Sequence, residues 1–130
     1  MAVTTFLDAS AIVKLVLHEP ESQALIDYLD DRVHVEASEL SVTEVGRAVR
    51  RYYPDFDETE TLQGIVLHRV TTAMLRRAAR VTPAGLRTLD AIQLAAALSL
   101  GADDVDVITY DARLADAARD HGLRVVQPGR

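Results

Sequence analysis

The sequence predicts an α/β fold in which a mostly parallel central sheet of four to five short strands carries helices on both faces. Three observations lead there. Short apolar, β-rich runs at 3–7, 33–37, 106–110 and 123–126 alternate with stretches of helical periodicity, the pattern of parallel strands joined by crossover helices. The stretch 88–100 is rich in Ala and Leu, and after Leu89 its only polar side chains are Asp90, Gln93 and Ser99. A helix so apolar belongs inside a fold. Lastly, Asp8 and Asp111 stand just after two of the strand-like runs, at the sheet edge where open parallel sheets gather their chemistry.

In chain order, the run 3–7 reads as a strand buried on both sides. Residues 10–17 read as a helix capped by Asp8 or Ser10, broken at 18–20, after which Pro20 suits the first turn of a second helix reaching Asp30. A second strand at 33–37 precedes a helix opened by Ser41 and ended by Pro54. A fourth helix is expected over 57–66 and a fifth, capped by Thr71, to Arg80. The loop Thr82-Pro83-Ala84-Gly85 then delivers the chain to the core helix, with Thr88 as N-cap. The strand at 106–110, a helix over 112–121 closed by Gly122, and the strand at 123–126 complete the sheet. Pro128-Gly129-Arg130 is expected to fray.

Composition sets outer bounds. A chain of 130 residues with 48% hydrophobic content predicts a single domain, 1–130, with a real core. With no cysteine there is no disulfide, thiolate nucleophile or Cys-based zinc site. No basic leader pattern opens the chain, and no apolar run reaches the roughly 20 residues that span a bilayer, so a soluble, cytoplasmic protein without membrane contact is expected. The net charge of −6 argues at first against nucleic acid. Residues 45–89, however, hold eight Arg against four acids, a local +4 that leaves −10 elsewhere. A basic rim around an acidic centre and a set of solvated helix faces both fit this asymmetry.

Four acids invite attention, and each has an ordinary structural role open to it. Asp8 and Asp111 suit N-caps, Asp90 suits a first helical turn, and Ser41-Val42-Thr43-Glu44 fits a capping box. Those roles leave unexplained why Phe6-Leu7 and Ala91-Ile92 enclose Asp8 and Asp90 in apolar sequence. Two carboxylates about 4 Å apart repel by roughly 4 kcal/mol at an effective dielectric near 20, so four that converge call for a cation. Oxygen donors alone, with no histidine at ligand spacing, suit Mg²⁺ or Mn²⁺, and the matching chemistry is phosphodiester hydrolysis.

The segments Phe6-Leu7-Asp8-Ala9-Ser10-Ala11, Glu44 within an Arg-rich helix, Leu86 through Ala97, and Ile108-Thr109-Tyr110-Asp111-Ala112-Arg113-Leu114 together resemble the PIN-domain ribonucleases, most closely the VapC toxins. The resemblance runs over essentially the whole chain. It implies a three-layer PIN-like fold and an Mg²⁺- or Mn²⁺-dependent endoribonuclease acting as the toxin of a toxin–antitoxin pair. By it, Asp8, Glu44, Asp90 and Asp111 form the catalytic metal site, with Ser10 and Thr109 supporting them. It further implies an RNA substrate, a homodimer and a cognate VapB-type antitoxin that fills the groove. Gln93 stands where many of that family carry His.

Other residues remain open to two roles. Arg87 and Arg113 beside the acids suit phosphate contacts or ion pairs that steady an empty site. Asp116 is a surface acid or a substitute for Asp111. Arg47, Arg50 and Arg51 suit phosphate, a partner or solvent, and Tyr52 and Tyr53 suit packing or a dimer contact. The four histidines share no spacing that marks a site. Two further functions compete: a PIN-like scaffold that binds RNA or a partner without cutting, and a phospho-acceptor receiver-like domain. The latter needs a late lysine, and the only lysine is Lys14.

Overall fold

The computed structural model describes residues 3–130. Strand β1 (Thr4–Leu7) leads into α1 (Ala9–Lys14) and α2 (Ser22–Asp30), β2 (His34–Ser38), α3 (Leu40–Arg50) and α4 (Glu58–Leu62). Then come β3 (Val66–His68), α5 (Thr72–Ala78), α6 (Thr88–Leu98), a 3₁₀ turn (Ala102–Asp104), β4 (Val105–Ile108), α7 (Ala112–Asp120) and β5 (Arg124–Val126). The five strands pair in the order β3-β2-β1-β4-β5, every pair parallel.

Alternation along β1 sends Phe6 and Leu7 to opposite faces. Leu7 packs with Ile12, Leu25, Val45, Val49 and Ile108 beneath α1 to α4. Phe6 packs with Leu94, Val105, Val107 and Leu114 beneath α6 and α7. Each such side chain contributes about 1.5–3 kcal/mol on burial, so the two half-cores jointly fix the sheet between its helical layers. The alanines of α6, among them Ala95, Ala96 and Ala97, are buried because a helix this close to a sheet has room for little more.

The architecture matches expectation, and several local readings do not. The helix expected over 57–66 stops at Leu62, and Val66–His68 instead becomes the edge strand β3, paired to Glu36, Ala37 and Ser38. Helix α1 ends at Lys14, α2 begins at Ser22 and α3 ends at Arg50, short of Pro54. Helix α3 opens one residue early, with Glu39 as N-cap, so Glu44 falls in its second turn and the Ser41–Glu44 capping box does not form. Arg87, not Thr88, occupies the N-cap of α6. Asp8, Thr71 and Asp111 do cap α1, α5 and α7 through their side chains. Residues 128–130 do not fray. They are pinned to Glu21 and Tyr110. Tyr52 and Tyr53 are exposed rather than packed.

Among the described residues, no helix is long and apolar enough to cross a membrane.

Candidate active site

The strand order reverses direction between β1 and β4, and at such a switch point the two outgoing connections part to leave a crevice at the carboxyl edge. Asp8 follows β1 there, tied by its amide to the Ile108 carbonyl at 3.2 Å. Thr109 and Asp111 follow β4. Helix α3 leaves β2 at the same edge and so begins there, while the segment 79–87 carries the chain back from α5 so that α6 also starts there.

Asp8 is the most enclosed of the four candidate acids, 4% exposed. Its Oδ1 accepts hydrogen bonds from Ser10 Oγ at 2.6 Å and the Ala11 amide at 3.1 Å, and its Oδ2 accepts one from Thr109 Oγ1 at 2.8 Å. Each hydroxyl has one proton and donates it to Asp8, so each is free to accept. Ser10 Oγ accepts from the Tyr110 amide at 2.9 Å and Thr109 Oγ1 from the Asp111 amide at 3.1 Å. Two backbone amides of the 109–111 segment therefore fix the orientation of Asp8 through two hydroxyl relays. Burial nevertheless pushes the Asp8 carboxyl up to about 6, against the pull of those donors and with help from the charge of Glu44.

The other three acids join electrostatically. Glu44 is raised above its ordinary range by burial, opposed by a hydrogen bond from Gln93 and reinforced by the charge of Asp90. Asp90 is raised by burial and by the charge of Asp111, and lowered by Arg87 and Arg113. Each acid thus feels the next, from Asp8 through Glu44 and Asp90 to Asp111. Arg87 lies between the last two, with Nε 3.5 Å from Asp90 Oδ2 and Nη2 3.3 Å from Asp111 Oδ2. The first distance is an ionic contact rather than a hydrogen bond, and Asp90 Oδ2 is left buried without a donor. Arg113 is exposed and acts on Asp90 through its field alone. Glu44, Arg87, Thr88, Leu89 and Asp90 line a cleft of about 330 Å³. A larger cavity, of about 440 Å³ between α5 and α6, is lined by no acid and takes no part.

Gln93 is the residue whose importance sequence reasoning undervalued. It is buried in α6 one turn after Asp90, and its Nε2 donates to Ser41 Oγ at 3.1 Å and to Glu44 Oε1 at 2.8 Å. It therefore couples α6 to α3 and sets where Glu44 sits. The signal was legible as a lone amide three residues from Asp90 in an otherwise apolar helix. Asp116 is set apart from the site: it is highly exposed and lies 3.7 Å from Arg119 on the outside of α7.

The donor chemistry suits a hard dication. Every candidate ligand is an oxygen, and two buried oxygens one turn apart on α6, Asp90 Oδ2 and Gln93 Oε1, have no hydrogen-bond partner. Among the described residues no three acidic or imidazole side chains converge closely enough to hold one ion. The four acids expected to converge are thus set along one edge rather than gathered around a single point.

Comparison with known proteins places this geometry in context. A profile described as PIN domain matches residues 5–120. The chain is 42% identical to Ribonuclease VapC46 of Mycobacterium tuberculosis, across 95% of this chain and 96% of that protein. The crystal structure of M. tuberculosis VapC20, described as a Sarcin-Ricin loop cleaving toxin, superposes with a TM-score of 0.75 over 96% of this chain and 100% of that one, at 15% identity. A toxin-antitoxin complex from Klebsiella pneumoniae superposes with a TM-score of 0.71 at 19% identity, over 96% of this chain and 98% of that one.

Proposed function

The chain belongs to the PIN-domain family, and from that premise we propose that it is a metal-dependent endoribonuclease that hydrolyses phosphodiester bonds of RNA as the toxin of a toxin–antitoxin pair. The observation that carries this reading is the coupled line of four acids at the sheet's switch point, headed by a buried carboxylate held by three donors. The names of its relatives support the substrate class and the role as a toxin.

Asp8 and Asp90 would hold Mg²⁺ or Mn²⁺, with Glu44 and Asp111 completing the acidic set. When bound, the cation supplies positive charge that eases both the ionisation of water and the build-up of charge on phosphate oxygens. Ser10 and Thr109 keep both Asp8 oxygens aimed, so the carboxylate need not reorganise as the reaction proceeds. Gln93 holds Glu44 against drift. Arg87, two-thirds exposed, is free to exchange its contacts with Asp90 and Asp111 for a substrate phosphate, and Arg113 adds its positive field at Asp90. The K. pneumoniae toxin-antitoxin complex supports an antitoxin as partner, which in this reading is of the VapB kind. A homodimer in the cytoplasm completes the reading.

Purified chain freed of any partner is expected to cut RNA only with Mg²⁺ or Mn²⁺ present, and Asp90→Asn is expected to abolish cutting. Cleavage that persists in excess chelator would remove the metal mechanism, and an intact, metal-binding chain that never cuts would leave a scaffold.

A further inference from the structure

The seat of Asp8 depends on residues that have no place in the acidic line. Strand β4 ends at Ile108, where its ladder with β5 ends opposite Val126. Thr109 and Tyr110 lie beyond the ladder, yet they carry the hydroxyl and the amide that orient Asp8 through the two relays. Their carbonyls are met by side chains of residues 127–130. Gln127 Nε2 donates to the Thr109 carbonyl at 2.9 Å, and Arg130 Nη1 donates to the Tyr110 carbonyl at 3.3 Å. In return, the Tyr110 hydroxyl donates to the Pro128 carbonyl at 2.8 Å.

This strap has its own anchor. Arg130 Nε donates to Glu21 Oε2 at 2.8 Å, and the buried Lys14 donates to Glu21 Oε1 at 3.0 Å. Lys14 and Arg130 also lie against the Tyr110 ring, 4.8 and 5.3 Å from its centroid. Two cations, the Glu21 carboxylate and one aromatic ring thus cluster immediately behind the 109–110 backbone, with the partly exposed Glu19 3.5 Å from Lys14 at the rim. Gly129 makes the approach possible. Its φ is +90°, and a Cβ there would come within 3.1 Å of the Glu21 Cα and Cβ.

We propose that residues 127–130, with Arg130 as the clasp, are positioning residues that hold the Thr109–Tyr110 backbone where Ser10 and Thr109 both donate to Asp8. The inference rests on the nuclease reading for its effect on catalysis. Its effect on structure can be read without catalysis.

Arg130→Ala removes the clasp's charge, and Gly129→Ala displaces the strap without changing charge. In the full chain, either is expected to speed amide hydrogen exchange at Tyr110 and Asp111 about tenfold, as loss of a charge-assisted hydrogen bond should. Exchange at Val107 and Ile108 stays as in the unsubstituted chain. RNA cleavage is expected to lose kcat about tenfold with KM within about twofold, and Arg130→Lys, which keeps the pair with Glu21, to recover part of the loss. Unchanged exchange at Tyr110 and Asp111 overturns the proposal. So does equal acceleration at Val107 and Ile108, which would make the strap a global brace. If the unsubstituted chain does not cut RNA, the nuclease reading fails while the exchange pattern still decides the strap.

Discussion

Asp8 concentrates the tension between stability and function in one side chain. Its carboxyl titrates at about 6 in the fold against 3.8 when unperturbed, so between about pH 4 and 6 the folded chain holds a proton that the unfolded chain has released. The contribution of Asp8 to the stability of the metal-free protein is therefore greatest below that window, falls as pH rises through it and stays reduced above about 6. A difference of about two pKa units corresponds to roughly 3 kcal/mol. Glu44 and Asp90, also raised, add slope of the same sign. Glu21 slopes the other way: Arg130 and Lys14 hold its carboxyl down at about 2, so its contribution is present above about 4.5 and lost as pH falls toward 2. Asp8→Asn is thus expected to abolish cleavage, to melt higher than the native chain at pH 7 in chelator, and to flatten the pH dependence of melting between 4 and 6. Lower melting at pH 7 with the slope intact would show that Asp8 is not strained by burial. Asp116→Asn, on the outside of α7, is expected to leave cleavage unchanged, and a large loss would bring that acid into the site.

At the scale of elements, the contact that counts is between α6 and α3. Gln93→Ala leaves Ser41 and Glu44 without their donor in a buried place, which should cost about 1–3 kcal/mol in denaturant unfolding. A cost near zero would mean that water replaces the amide and that α6 does not set the position of Glu44. The elements also show what local sequence can carry. Strands β1 and β4 were readable because Phe6-Leu7 and Val107-Ile108 are apolar pairs buried on both faces, although Thr4-Thr5 and the buried Asp106 interrupt the apolar pattern. The acids Asp8 and Asp111 were readable because a carboxylate after such a strand has one edge to face. Strand β3 was not readable: Val66 and Leu67 are exposed, the element is three residues long, and it is a strand only because Glu36, Ala37 and Ser38 offer it partners. The capping box failed for a related reason. Ser41 is buried inside α3, where it meets Gln93, and no pattern within four residues reports a contact 52 positions away. Likewise the pinning of Arg130 to Glu21 spans 109 positions, so an Arg after Pro-Gly looked like a loose end.

The whole molecule sets the four acids along one sheet edge because its strand order turns between β1 and β4 and its helices α3 and α6 both start at that edge. Burial, and after it mutual repulsion, raises the carboxyls of Asp8, Glu44 and Asp90, and the proposed cation among them would relieve that cost. By linkage, a dication at a hundredfold excess over its dissociation constant should stabilise the chain by about 2.7 kcal/mol. A melting temperature that stays flat through a millimolar Mg²⁺ or Mn²⁺ titration would speak against a site formed before substrate arrives. The most direct measurement is anomalous diffraction from a crystal of the chain grown with Mn²⁺. The account predicts a strong peak at the carboxyl edge, about 2.0–2.2 Å from carboxylate oxygens of Asp8 and Asp90, near the Mg²⁺–oxygen distance. A peak bound to other residues, or Asp8 and Asp90 facing different sides of the molecule with no peak between them, would contradict it.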